Sequence, residues 1–392
     1  MSYDLLLKGG HIIDPGQGLD GTGDVAFAGG RVARVAPSIS ASDASEVRDV
    51  SGFYVVPGLI DLHTHVYWGS TYLGVDADAI APAAGMTTAV DAGSAGAGTV
   101  RGLVAHVAQR TNVRVLAFVN LSFIGIITGS RSVYVPEAED LRLLSVPDCA
   151  SAVRNFPDHA VGIKIRVGAS STAHLGAMPL HMAIRASELA DDVPVMVHVG
   201  ADMPPRIEDI VEPLRRGDIL THYCTPKVNS PLTARGALRD CMLEARRRGV
   251  VMDVGHGSGS FGFDVARTML DLGFGPDVIS SDVHVLCVDG PAFDVLVSMS
   301  KFLCLGVPLV DVVRAATATP AAVIRRPDLG TLRVGAPGDA ALLELRREPV
   351  RYVDSIGQGL DADRRLVSRG LVLGGRWWCG GADRFGERAP RA

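Results

Sequence analysis

Two imidazoles stand one residue apart, at His63 and His65, in Val-Val-Pro-Gly-Leu-Ile-Asp-Leu-His-Thr-His. In a strand, residues i and i+2 face the same side, so both rings are directed to one place. Lys164, His198, His222 and Asp282 each lie at or near the downstream end of another short apolar run. Imidazoles, a carboxylate and an inward lysine are the donor types of a polynuclear metal site. A metal pair lowers the pKa of its bound water to near neutrality, which makes hydroxide available and points to a hydrolase.

Each residue also has a plainer reading. A lone His-x-His carries little information, and His198 or His222 alone could be a satisfied core histidine. Four histidines at strand ends are harder to explain as packing, since each would need its own buried partner. Lys164 lies between Ile163 and Ile165, where an ammonium is costly to bury unless it reaches solvent or a carboxylate. A desolvated lysine can instead react as a free amine. Carbon dioxide would convert it to a carbamate whose two oxygens could bridge two cations. Asp282 can bind a metal and accept the proton of its water, although the preceding Ser281 would also suit a helix N-cap. Arg166 shares the inward face of Lys164 nearer the mouth and suits a substrate carboxylate, or a rim ion pair. His256, in Asp-Val-Gly-His-Gly-Ser-Gly on a flexible loop, could polarise a carbonyl or bind substrate; His284 has a weaker claim. His11, His106, His159, His174 and His181 read as ordinary surface or core residues.

The elements that must position these groups follow from the texture of the chain. Apolar runs at 58–63, 87–91, 114–121, 161–167, 194–198, 218–222, 250–254 and 278–282 alternate with helical stretches such as 76–84, 100–110, 181–190 and 238–248. Pro82 weakens the first of these helices. Eight strands alternating with helices predict an α/β fold, a parallel (β/α)8 TIM barrel whose chemistry sits at the strands' carboxyl ends. Short strands at 3–8, 11–14, 23–28 and 31–36, with Asp14-Pro15-Gly16 and Gly29-Gly30 as turns, predict a small β-sandwich. Similar texture returns at 338–345 and 369–378. The expected division is therefore 1–56 with 338–392 for the β-sandwich and 57–337 for the barrel. The glycine-rich stretch Asp91-Ala-Gly-Ser-Ala-Gly-Ala-Gly lacks the Lys-Ser/Thr ending of a phosphate loop, and reads as a close-approach loop beside the site. The Ser/Ile-rich segment 122–130 could line an acyl pocket or form a lid.

At 392 residues the chain can bury a large core, and 38 basic against 43 acidic residues leave a formal net charge of −5. No basic stripe suggests nucleic acid, and no apolar run approaches the roughly 18 residues of a membrane helix. The N-terminus lacks a signal-peptide layout, and six scattered cysteines fit a reducing compartment. The expectation is a cytoplasmic protein with a small-molecule acyl substrate, no nucleic-acid or membrane partner, and room for a homo-oligomer.

Pro-Gly-Leu-Ile-Asp-Leu-His-Thr-His, Gly-Ile-Lys-Ile-Arg around Lys164 and the late Gly-Thr-Leu-Arg-Val-Gly-Ala-Pro-Gly-Asp-Ala resemble the amidohydrolase superfamily over nearly the whole chain. The resemblance implies the binuclear branch, with His63, His65 and Asp282 on the more buried metal. His198 and His222 would hold the more exposed one, N-carboxylated Lys164 would bridge both, and Asp282 would act as base and then acid. Two divalent ions are expected, zinc first, though such ligands also accept manganese, iron and cobalt. Val-Asp-Ala-Gly-Ser-Ala-Gly, Met-Val-His-Val-Gly and Asp-Val-Gly-His-Gly look most like the deacetylase-like group often labelled dihydroorotases. Members of that group hydrolyse acetyl esters or amides of small α-substituted carboxylic acids. A true dihydroorotase would carry arginine two places after the second histidine, where this chain has Tyr67. The deaminase branch would show His-x-x-Glu where Ala201 follows His198. Cyclic-amide hydrolysis of the hydantoinase or dihydroorotase kind and D-aminoacylase activity are the enzymatic alternatives. A non-catalytic scaffold on the same fold is the alternative from another class.

Overall fold

The structure is a computed structural model that describes residues 2–126, 133 and 135–388. The first five strands, β1 (Tyr3–Asp14), β2 (Leu19–Ala28), β3 (Arg31–Ala36), β4 (Ala44–Asp49) and β5 (Tyr54–Pro57), belong to a terminal sheet. Seven parallel strands follow: β6 (Leu59–Thr64), β7 (Met86–Gly96), β8 (Arg114–Asn120), β9 (Ala160–Val167), β10 (Val195–Val199), β11 (Ile219–Thr221) and β12 (Val251–Asp253). The chain returns to the terminal sheet with β13 (Ala340–Val353), β14 (Gly359–Leu373) and β15 (Arg376–Gly380).

The parallel strands pair in sequence order from β6 to β12. Every residue of β6 and β7 is buried, as befits strands covered on both faces, and this is why they read as continuous apolar runs. The expected eighth strand closes the ring by two single bridges, Val278 to Asp253 and Val283 to Thr64. A full ladder is interrupted between them because Asp282 has φ +49° and Asp61 takes the Ser281 amide at 2.9 Å. The helix expected at 76–84 forms as Ala77–Ala84 despite Pro82, with the Asp76 carboxylate capping one end and Gly85 the other.

The terminal sheet, built from both chain ends, is one continuous mixed sheet in the order β15-β14-β13-β5-β1-β2-β3, with β4 on the first half of β1. The two short strands expected at 3–8 and 11–14 are one strand with an irregularity between Leu7 and Gly10. Leu5, Leu7, Phe27, Val55, Leu342 and Val372 form its core. The hairpin of β13 and β14 extends well beyond the expected strand and reaches back over the barrel. No helix among the described residues is long and apolar enough to cross a membrane.

Candidate metal centre

Five of the six predicted donors stand at or just beyond strand ends at one mouth, and the sixth, Lys164, faces them from mid-strand. His63 lies on β6 and His65 just beyond it, Lys164 on β9, His198 on β10, His222 directly after β11, and Asp282 in the closing segment. Asp282 Oδ1 is 3.2 Å from His63 Nε2 and 3.3 Å from His65 Nε2. Lys164 Nζ is 3.2 Å from the same His63 nitrogen, and His222 Nε2 is 2.7 Å from His198 Nδ1. One donor atom each of His63, His222 and Asp282 falls within 4.8 Å of the others. His222 and Asp282 hold φ values of +70° and +49°, a backbone cost of about 1–3 kcal/mol each that is met chiefly at functional sites.

The outer ring nitrogens decide which way the lone pairs point. His222 Nδ1 is 2.6 Å from the Gly255 carbonyl, which only accepts, so the proton sits on Nδ1 and Nε2 is bare. Thr221 Oγ1 donates to Asp253 Oδ2 at 2.6 Å. It therefore accepts from His63 Nδ1 at 2.8 Å, which again leaves Nε2 bare. His65 Nδ1 is held by Ser94 Oγ at 2.8 Å. Outer partners of this kind fix the ring and tautomer of metal-ligating histidines. Burial also keeps the rings neutral: it lowers His65 and His222 to a pKa of about 4, and His63 and His198 well below their ordinary value, helped by the Lys164 charge. The bare Nε2 atoms of His63 and His222 beside the Asp282 carboxylate are the donor types a divalent cation takes. The chemistry of His63, His222 and Asp282 fits a divalent cation.

Lys164 is 1 % exposed. Its other neighbour is Met196 Sδ at 3.3 Å, and among the described residues no carboxylate oxygen comes within 4.0 Å of its Nζ. Burial lowers its pKa to about 8, against the pull of Asp282 and with the Arg166 charge adding to the fall. The glycine-rich stretch does make a close approach: a Cβ on Gly93, whose φ is +84°, would sit 2.6 Å from Lys164 Cβ and Cγ. Gly257 serves Asp282 alike, with φ +56° and a would-be Cβ 2.3 Å from Oδ2.

A cavity of about 360 Å³ opens above these groups, in the range of small-ligand sites. Arg166 lines it, and its Nη1 is 3.6 Å from Glu137 Oε2, the rim ion pair that was one of its two expected roles. Lys227, Ser258, Ser260 and Thr225 add polar groups; Tyr72, Leu73, Ile126 and Leu286 add apolar ones. Ile126 is the part of the 122–130 segment that reaches the cavity, and residues 127–130 lie outside the described residues. His284 also lines it; its Nδ1 accepts the Leu286 amide at 3.2 Å, so its proton is on Nε2.

His256 is the exception, and the expectation of a substrate contact on a flexible loop is corrected. The ring is fully buried and stacks on Phe261 at 4.5 Å. Its nitrogens are engaged by Gly257 O at 2.9 Å and Lys301 Nζ at 2.6 Å, and it does not line the cavity. Residues 258–260 of the same loop do. Sequence reasoning also missed Thr221, Ser94 and Asp253, the groups that orient the ligands. Asp253 ends a barrel strand, a signal that was available; hydroxyls beside histidines carry none. Lys301 had a signal too, since Val-Leu-Val-Ser-Met-Ser-Lys-Phe-Leu-Cys is apolar on almost every face and obliges its lysine to find buried partners.

Comparison with known proteins agrees with this geometry. The profile described as "Amidohydrolase family" matches residues 54–368. A deacetylase of Agrobacterium fabrum is 31 % identical over 352 residues, covering 90 % of this chain and 85 % of its own. A deacetylase of Enterococcus faecalis is 30 % identical over 378 residues, covering 96 % and 99 %. Among solved structures, one described as an adenine deaminase superposes with a TM-score of 0.89 at 29 % identity, covering 96 % of this chain and all of its own. One described as a dihydroorotase gives 0.87 at 30 % identity, covering 96 % and 98 %.

Proposed function

The chain belongs to the amidohydrolase family and is a hydrolytic enzyme, and on that premise we propose that it removes an acyl group, acetyl first, from an ester or amide of a small carboxylate-bearing molecule. The observation that carries the reading is the convergence of bare imidazole nitrogens on the Asp282 carboxylate, each ring pinned from behind. His63, His65 and Asp282 would hold the more buried of two divalent ions, zinc foremost, and His198 and His222 the other. N-carboxylated Lys164 would bridge them; a buried amine with no carboxylate oxygen within 4.0 Å among the described residues and a pKa lowered to about 8 supports that modification. When bound, the ions supply Lewis-acid polarisation of the acyl carbonyl and a nucleophile at neutral pH.

The chain's own residues do the rest. Asp282 Oδ2 takes the proton of the attacking water and returns it to the leaving group. Arg166 in the cavity wall and Lys227 at its lip bind the substrate carboxylate. His284 offers its Nε2 proton to a substrate oxygen. The buried cavity floor limits competing water.

Two observations favour removal of an acyl group over dihydroorotate ring opening and over deamination. Tyr67 is buried and its hydroxyl donates to Thr99 O at 3.1 Å, so nothing at that position can bind dihydroorotate's carboxylate. Ala201 lines the cavity and brings no carboxylate for deamination. The free state of all six cysteines supports a reducing, cytoplasmic setting. The test is Asp282→Asn, assayed beside wild type on acetyl esters, N-acyl amino acids, hydantoins and dihydroorotate. The expected result is acyl-substrate turnover that falls about 10²–10⁴-fold in the variant with bound metal retained. Unchanged turnover with metal intact sinks the assignment.

A further inference from the structure

We propose that Lys301 is a positioning residue for the active site: its ammonium ties the loop after β12, the loop after the closing segment and the terminal-sheet hairpin to one point, and so sets where Gly257 stands against Asp282. This rests on the hydrolase reading for its catalytic consequence but not for the tether itself.

Lys301 lies on the helix Val295–Cys304 and is 1 % exposed. Its Nζ is 2.6 Å from His256 Nε2, 2.8 Å from Pro291 O and 2.8 Å from Val353 O. Those acceptors belong to three separate segments. His256 Nδ1 gives its proton to Gly257 O, so Nε2 accepts. Burial lowers the Lys301 pKa to about 7, and three surrounding acceptors are matched only by the protonated amine, which uses all three of its N–H groups.

The His256 ring is held on its other sides by the Phe261 face and by its own backbone, whose amide reaches Ser280 O at 3.3 Å. Gly257 N then donates to Ser281 O at 2.9 Å, and Gly257 walls the Asp282 carboxylate closely enough to exclude a Cβ. Movement of the imidazole is therefore passed to the wall of the proposed base and to residues 258–260, which line the cavity.

The hairpin grips the far end of the same loop. Ser355 Oγ donates to Phe261 O at 2.6 Å and accepts Phe261 N at 3.0 Å. Asp354 Oδ2 accepts Phe263 N at 3.0 Å. Packing alone does not need a charge here, because an apolar side chain of similar size fills a buried site at no desolvation cost. The spread of acceptors over three segments beside the site is what a tether requires.

The test compares wild-type enzyme with Lys301→Met and with Ser355→Ala, both as zinc-loaded full chains. Hydrogen exchange of peptides spanning 254–263 reads the tether, and kcat, KM and metal content on an N-acetyl or O-acetyl acid read its consequence. In Lys301→Met, loop exchange is expected to accelerate and kcat to fall on the order of 10–100-fold, with KM and metal content little changed. Ser355→Ala is expected to move both in the same direction by less. Unchanged loop exchange, or faster exchange with kcat of the folded enzyme intact, overturns the proposal. Should Lys301→Met fail to fold, Ser355→Ala decides by the same two readings. Should wild type hydrolyse no acyl substrate, the hydrolase reading fails and the exchange data alone decide the tether.

Discussion

Thr221→Val removes one oxygen from the middle of a buried relay and leaves the side chain's shape nearly the same. Thr221 Oγ1 accepts from His63 Nδ1 at 2.8 Å and donates to Asp253 Oδ2 at 2.6 Å, and all three residues are fully buried. The substitution strands the Nδ1 proton and leaves Asp253 with Ser280 Oγ, at 2.6 Å, as its remaining hydroxyl donor. A lost hydrogen bond is worth about 1 kcal/mol and a buried group left unpaired costs about 1–3 kcal/mol, so the metal-free protein should lose roughly 2–4 kcal/mol. Asp253 Oδ2 stands 3.8 Å from His63 Nδ1, and a turn of the ring would recover part of that. The same turn carries Nε2 away from Asp282 Oδ1, now 3.2 Å distant. Metal affinity is therefore expected to fall on either course, by about 10–100-fold, which is about 1.4–2.7 kcal/mol. Competition against a zinc chelator of known affinity, read as metal retained and as activity, measures the loss; thermal melting of the stripped protein measures the rest. A variant with wild-type zinc affinity and melting temperature would refute the argument that this relay aims His63.

Gly93→Ala places a methyl 2.6 Å from Lys164 Cβ and Cγ at φ +84°, a combined strain of about 2–5 kcal/mol, and should lower both melting temperature and metal content. Gly18→Ala, at φ +68° with nothing nearby, is the control that carries the backbone cost alone; equal effects would contradict the close-approach role. Asp294 caps the helix Val295–Cys304 through Val297 N, and burial raises its pKa from 3.8 to about 6. The folded chain then holds a proton there that the unfolded chain has released, so stability falls as pH rises from about 4 to about 6, by up to ~3 kcal/mol. Asp294→Asn keeps the cap and should melt higher than wild type at pH 7.5, with a smaller gain at pH 5; a gain independent of pH would contradict it.

What the sequence made legible follows from burial. A barrel strand covered on both faces reads as an unbroken apolar run, and a polar residue at its end is conspicuous; hence His63, His198 and His222 stood out and lie together. The closing segment read as an ordinary strand because φ is invisible in a residue name, and Asp282 adopts a left-handed conformation that turns its carboxylate into the mouth. The hairpin of β13 and β14 was under-read for the opposite reason. Arg346 faces Arg365, and Arg351 faces Asp361, so charged side chains occupy positions where apolar alternation would mark a strand; ion pairs such as Arg351 with Asp361 at 2.6 Å take its place. His256 misled because glycines on both sides suggest mobility, whereas Lys301, forty-five residues on, makes it a buried strut. Contacts this distant leave no local pattern to read.

Elemental analysis of the purified chain, expressed with zinc and bicarbonate, bears most directly on the central claim. About two divalent ions per chain, lost to a chelator together with acyl hydrolysis and restored with zinc, is the predicted result. Full acyl hydrolysis by a folded chain that carries no divalent ion contradicts it.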